Sequence, residues 1–153
     1  MNRPAAALHV ALGAIVGAAL RWVVIETFET NDGWPWAILG VNLVGSFALG
    51  VVLAATHLTT DAHVDVASGS DPLPRSARLR LGVGTGFCGA LTTFSTFAVD
   101  AAEILRDGDT TSSIGYVGVS LGAGIVAFVL GRTSGPLVSA TSNVASARAG
   151  DAR

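Results

Sequence analysis

Four stretches of this 153-residue chain are long and apolar enough to cross a lipid bilayer as helices, and they limit the fold more than any other feature. A helix needs roughly 20 mostly apolar residues to span the hydrocarbon. The stretches run from about Leu8 to Phe28, Trp36 to Thr56, Leu79 to Leu105 and Ser113 to Gly131. The chain reads as an all-α membrane protein with four transmembrane helices in a single domain over residues 1–132. Residues 133–153 form a polar tail, expected to be disordered.

Composition agrees. Only 13% of residues are charged and mean hydropathy is +0.58, whereas soluble domains carry roughly 25% charged residues. A net charge of −2 gives no reason to expect a nucleic-acid partner. Cys88 is the single cysteine, so no intrachain disulfide forms, and no Cys/His spacing suggests a side-chain metal site. His9, His57 and His63 lie at or outside span ends and read as solvated. No grouping of nucleophile, base and orienting residue appears, so the chain does not read as an enzyme. Arg is the sole basic residue type, which with eight Asp and frequent Ala and Gly hints at a GC-rich or salt-adapted prokaryote; the expected location is a prokaryotic plasma membrane.

The first stretch has the look of a signal peptide, with Arg3 ahead and Ala18-Ala19 within, but three further spans favour a retained helix. Its Gly13 and Gly17 permit close helix packing. Glu26, Glu29 and Asp32 mark a turn before Trp34-Pro35-Trp36, a pattern suited to the membrane interface and a helix start. The second span has a small, polar face at Gly40, Asn42, Gly45, Ser46 and Gly50. Residues 57–78 form a polar loop too short to bury a core.

The third span is longer than a bilayer needs. Gly82, Gly84, Gly86 and Gly89 precede Thr92, Thr93, Ser95 and Thr96, which alternate with Phe94 and Phe97. Polar groups in hydrocarbon must find partners or line a wet path. The span is therefore expected to break near its middle. Asp100 and Glu103 beyond it read as the hydrated end.

Each candidate residue has a plain alternative. Phe94 and Phe97, three apart on a helix, commonly just pack, yet an aromatic ring has a positive edge that suits a small anion. Asn42 reads as interhelical glue or as a donor replacing part of an ion's hydration shell. Tyr116 and Ser120 place two hydroxyls in one stripe of the fourth span, although membrane Ser commonly bonds its own helix. Gly89 and Thr92 read as a kink, which also frees carbonyl oxygens. Arg21 either snorkels to the interface or marks a vestibule that attracts anions.

The run Gly86 to Phe97, with Gly89 to Phe97 as its ungapped core, closely resembles the third span of the Fluc/CrcB family of small fluoride channels. Val41 to Phe47 resemble that family's Val-Asn-x-x-Gly-Ser-Phe pattern. The resemblance covers roughly residues 8–131. It implies passive, fluoride-selective export from the cytoplasm, with Phe94, Phe97 and Asn42 lining the pore. Ser95, Thr96, Tyr116 and Ser120 would be hydroxyl donors, and Arg21 a vestibule residue. It also implies an antiparallel dimer holding a structural Na⁺ on the backbone carbonyls of Gly89 and Thr92. Where some members continue the hydroxyl track on the fourth span, this chain has Gly124, a departure at the track's outer end.

Arginine placement adds an expectation. Arg3, Arg75, Arg78, Arg80, Arg132, Arg148 and Arg153 fall on the side of the termini, against Arg106 opposite, with Arg21 inside a span. The positive-inside rule puts both termini in the cytoplasm. A chain so biased inserts mainly one way, which predicts pairing with an oppositely oriented paralogue. Three rivals stand beside a channel: a small four-helix transporter of another solute, such as a proton-coupled exporter; a partner-dependent subunit; and a non-conducting structural subunit. The exporter needs a membrane-embedded carboxylate, whereas the first span's only interior charge is Arg21 and Glu26 falls at its end. Intact Asn42, Phe94 and Phe97 speak against the structural subunit.

Overall fold

A computed structural model of the protein describes residues 3–28, 34–57 and 75–151. Among these it is all helical. Helix α1 spans Arg3–Phe28 and α2 spans Trp36–His57. The third crossing is assembled from pieces: α3 (Arg75–Leu79), a π-helical segment (Arg80–Cys88), α4 (Gly89–Leu91) and α5 (Phe94–Arg106). Helix α6 spans Thr110–Asp151. The parts of α1, α2 and α6 over Pro4–Phe28, Trp36–Thr56 and Thr110–Gly135 are each long and apolar enough to cross a membrane, and the broken helix, third in chain order, completes a set of four. Residues 58–74 of the expected polar loop lie outside the described residues. From Arg75 onward the chain is already helical.

The surface shows which solvent these helices meet. Leu12, Ile15, Val16 and Val23 on α1 point outward, as do Ile125, Val126 and Val129 on α6. Apolar side chains facing out all along a helix suit lipid and not water. Within the chain, 39% of the α2 span is buried, against 6% for α1 and 11% for α6, so α2 is the central helix. It packs mainly on α6, while α1 packs on the π-helical segment. The core joins Ile38 and Leu39 of α2 to Phe97 of α5 and Tyr116 of α6.

Glycines let the backbones meet. A Cβ added at Gly17 would fall on the Phe87 carbonyl, and one at Gly13 on the Gly82 carbonyl. Small residues at such crossings replace the hydrophobic drive that lipid does not provide. Between α5 and α6, Gly108 has φ +90°, a conformation costly for other residues, and this closes the Asp107–Asp109 turn. Asp109 then caps α6, its Oδ1 accepting the Ser112 N–H at 2.9 Å.

Helix α6 does not end at the apolar boundary near Gly131 but continues to Asp151. Hydropathy limits where a helix leaves lipid. It does not limit where the helix stops.

Candidate functional site

The centre of the site is a two-residue break in the third crossing. Thr92 (φ −74°, ψ 152°) and Thr93 (φ −144°, ψ 119°) both adopt extended backbone. Breaking a helix strands backbone groups that must find new partners. Thr93 N–H, which a continuous helix would aim at the Gly89 carbonyl, donates instead to Asn42 Oδ1 at 2.8 Å. Asn42 Nδ2 donates back to the Thr93 carbonyl at 3.2 Å. Thr96 N–H, whose helical acceptor would be Thr92, donates to Thr93 Oγ1 at 3.2 Å and so caps α5. The carbonyls of Gly89 and Thr92 thereby lose their helical partners. The Thr92 carbonyl accepts a long bond from Arg21 Nη1 at 3.4 Å.

The Thr/Ser cluster is largely self-satisfied. Thr93 Oγ1 lies 3.2 Å from Ser95 Oγ and 3.0 Å from Thr96 Oγ1, while Thr92 Oγ1 donates to the Cys88 carbonyl at 2.9 Å. Thr93 is the hub of this network and is buried. Sequence reasoning placed it in the cluster without a role. Its signal was the N-cap preference for Thr ahead of an apolar helical run.

Beside the break lies a cavity of about 800 Å³ between α2, the third crossing and α6. Asn42, Phe94, Phe97 and Ser120 all line it, as do Gly89 and Thr92. Ser95, Thr96, Tyr116 and Arg21 do not. The two phenylalanine rings sit 5.7 Å apart at 45°. Phe94 is 77% exposed, whereas Phe97 is 8% exposed and rests 5.3 Å from the Tyr116 ring. Tyr116 also takes Trp34 edge-on at 5.6 Å. Its hydroxyl donates to Asp100 Oδ2 at 3.4 Å, so Asp100 turns toward the core face of α6 and not only to water. Ser120 Oγ is buried without a protein partner among the described residues.

In this arrangement Asn42 commits one N–H and its oxygen to Thr93 and keeps a second N–H. The cavity thus combines a spare amide donor, an unpartnered hydroxyl and two aromatic rings in mostly apolar walls. Among the described residues no cluster of three or more His, Cys, Asp or Glu side chains could hold a metal ion.

Comparison with known proteins agrees in scope with this architecture. Residues 8–132 match the family model described as CrcB-like protein, Camphor Resistance (CrcB). The chain is 34% identical over 131 residues to the fluoride-specific ion channel FluC of Bordetella avium, covering 86% of this chain and 93% of that protein. The FluC of Ignicoccus hospitalis is 36% identical over 127 residues, with 83% and 92% covered. That of Deinococcus radiodurans is 35% identical over 131 residues, with 84% and 93% covered.

Proposed function

The chain belongs to the CrcB family, a family of channels and not of enzymes, and we propose that it forms half of an antiparallel dimeric fluoride channel. The observation that carries this reading is the break at Thr92-Thr93, clamped by Asn42, with Phe94, Phe97 and Ser120 on the same cavity. A small, strongly hydrated anion needs replacement donors that bind it well enough to enter and weakly enough to leave. Asn42, Ser120 and the ring edges of Phe94 and Phe97 are donors of that kind. Tyr116, Ser95 and Thr96 support them from behind, through Phe97 and Thr93. Fluoride as the ion follows from the relatives' names. Export from the cytoplasm is passive, down the gradient.

Phe94 lines the cavity and is nonetheless 77% exposed within one chain, which supports a second copy across the cavity. The seven-to-one arginine bias supports both termini on the cytoplasmic side and an oppositely oriented paralogue as partner. Gly89 and Thr92, released from the helical ladder, suit a hard cation. They would hold the structural Na⁺ at the dimer centre, where its charge favours an anion nearby. Arg21, bonded to the Thr92 carbonyl, stands beside that position.

Fluoride efflux from proteoliposomes, followed by an ion-selective electrode with chloride as control, tests the channel. Fluoride-selective efflux lost on Phe94→Ala or Asn42→Leu is expected. Vesicles silent both for the chain alone and for the chain with an oppositely oriented relative would overturn it.

A further inference from the structure

The stripe of hydroxyls on α6 ends early. Tyr116 and Ser120 are one turn apart, and the next position on that face is Gly124. Helix α2 fills the place. A Cβ built at Gly124 would lie 3.9 Å from Ser46 Oγ. Ser46 sits one turn beyond Asn42, and Ser46, Gly124 and Ser120 line the same cavity.

Membrane hydroxyls ordinarily settle on their own helix. Thr56 does so on the Val52 carbonyl, Thr92 on Cys88 and Ser134 on Leu130. Ser46 Oγ, by contrast, makes no hydrogen bond among the described residues. Ser46 is half-buried, whereas Ser120 Oγ, beside the Tyr116 hydroxyl, is fully buried and makes no close hydrogen bond among the described residues. A buried hydroxyl such as Ser120 Oγ is costly unless something in the cavity accepts from it, and Ser46 presents a second hydroxyl to the same space.

We propose that Ser46 is a further donor of the anion path, supplying from α2 the hydroxyl that α6 lacks at Gly124. The donors then continue past Ser120 by crossing from one helix to the other. The ligand is a small halide ion, and this assignment rests on the channel reading above. Packing does not demand a serine here. The close approach of α2 and α6 occurs further along, where a Cβ at Gly50 would fall on the Phe128 carbonyl and one at Gly131 on the Phe47 carbonyl. At Gly124 the spacing is ordinary van der Waals contact.

The test moves the hydroxyl between helices. Full-length wild type, Ser46→Ala, Gly124→Ser and the double variant are reconstituted under the same conditions, and fluoride efflux is measured alongside melting temperature. Loss of one neutral hydrogen bond corresponds to about a fivefold slowing. Ser46→Ala is expected to slow efflux by about that factor with an unchanged melting temperature, and adding Gly124→Ser is expected to bring the rate back to within about twofold of wild type. Wild-type efflux from Ser46→Ala overturns the proposal, as does a double variant as slow as the single. A Ser46→Ala chain that melts well below wild type assigns Ser46 to packing and overturns it too. A silent wild type would bring down the channel reading itself, a result distinct from a conducting wild type with an indifferent Ser46.

Discussion

Asn42 and Thr93 are joined at two points: the asparagine oxygen accepts the Thr93 N–H at 2.8 Å, and the asparagine nitrogen donates to the Thr93 carbonyl at 3.2 Å. A side-chain amide here takes the place that a neighbouring peptide would hold in an intact helix. This pairing satisfies the Thr93 N–H stranded by the break, while the Gly89 and Thr92 carbonyls stay off the helical ladder.

Replacing Asn42 with leucine keeps the bulk and removes both bonds. Each backbone group left unsatisfied in an apolar setting costs about 1–3 kcal/mol. The variant is expected to melt lower in detergent, with the Thr93 amide exchanging its hydrogen faster. An unchanged exchange rate at Thr93 would show that the pairing does not hold the break.

Gly17 and Gly115 separate close approach from simple helix propensity. A Cβ at Gly17 meets the Phe87 carbonyl, whereas at Gly115 nothing lies within 4 Å. Gly17→Ala forces backbone to move and is expected to destabilise by about 1–3 kcal/mol. Gly115→Ala is expected to be neutral or to stabilise by up to about 1 kcal/mol. Thermal unfolding of the two variants in parallel decides it, and equal shifts would contradict the α1 packing described above.

The two phenylalanines differ in what truncation costs the fold. Phe97, 8% exposed and packed on Tyr116, is expected to lose about 3 kcal/mol on truncation to alanine. Phe94, 77% exposed, is expected to cost the chain's own fold little while sharply cutting fluoride efflux. Wild-type efflux from Phe94→Ala would remove that ring from the path.

Acid acts at the head of α6. Hydrogen bonds from the Ser112 side chain and backbone hold the Asp109 carboxyl below its ordinary pKa. A carboxyl depressed in the folded state lends stability that is complete above the unfolded value, about 3.9, and fades as pH falls through the folded one. The small melting-temperature advantage of wild type over Asp109→Ala is therefore expected at neutral pH and to shrink below about pH 4. An advantage that persists undiminished in acid would show that the cap does not depend on charge.

Much of the fold was legible because lipid makes simple demands. Length and hydropathy alone mark α1, α2 and α6, and the Thr/Ser cluster among glycines marks where the third crossing leaves helical geometry. What holds that break was not legible, because Asn42 and Thr93 lie 51 residues apart in sequence. Spacing within one helix says nothing about a partner on another. Ser46 facing Gly124 was hidden for the same reason. The π-helical turns of Arg80–Cys88 escaped as well, since a glycine-rich apolar run has no periodicity to tell wide turns from ordinary ones. Asp100, read by its charge as hydrated, accepts the Tyr116 hydroxyl because α6 passes beside it.

The break has one more effect. Helix α5 begins at Phe94, midway through the crossing, so its first turn opens beside the cavity and not at the membrane surface. The aligned peptide groups of a helix sum to about half a positive charge at such a start. That charge belongs to the main chain: it has no proton to gain or lose, and no side-chain replacement deletes it. An anion entering the cavity would feel a pull that does not change with pH and is softer than that of a full positive charge.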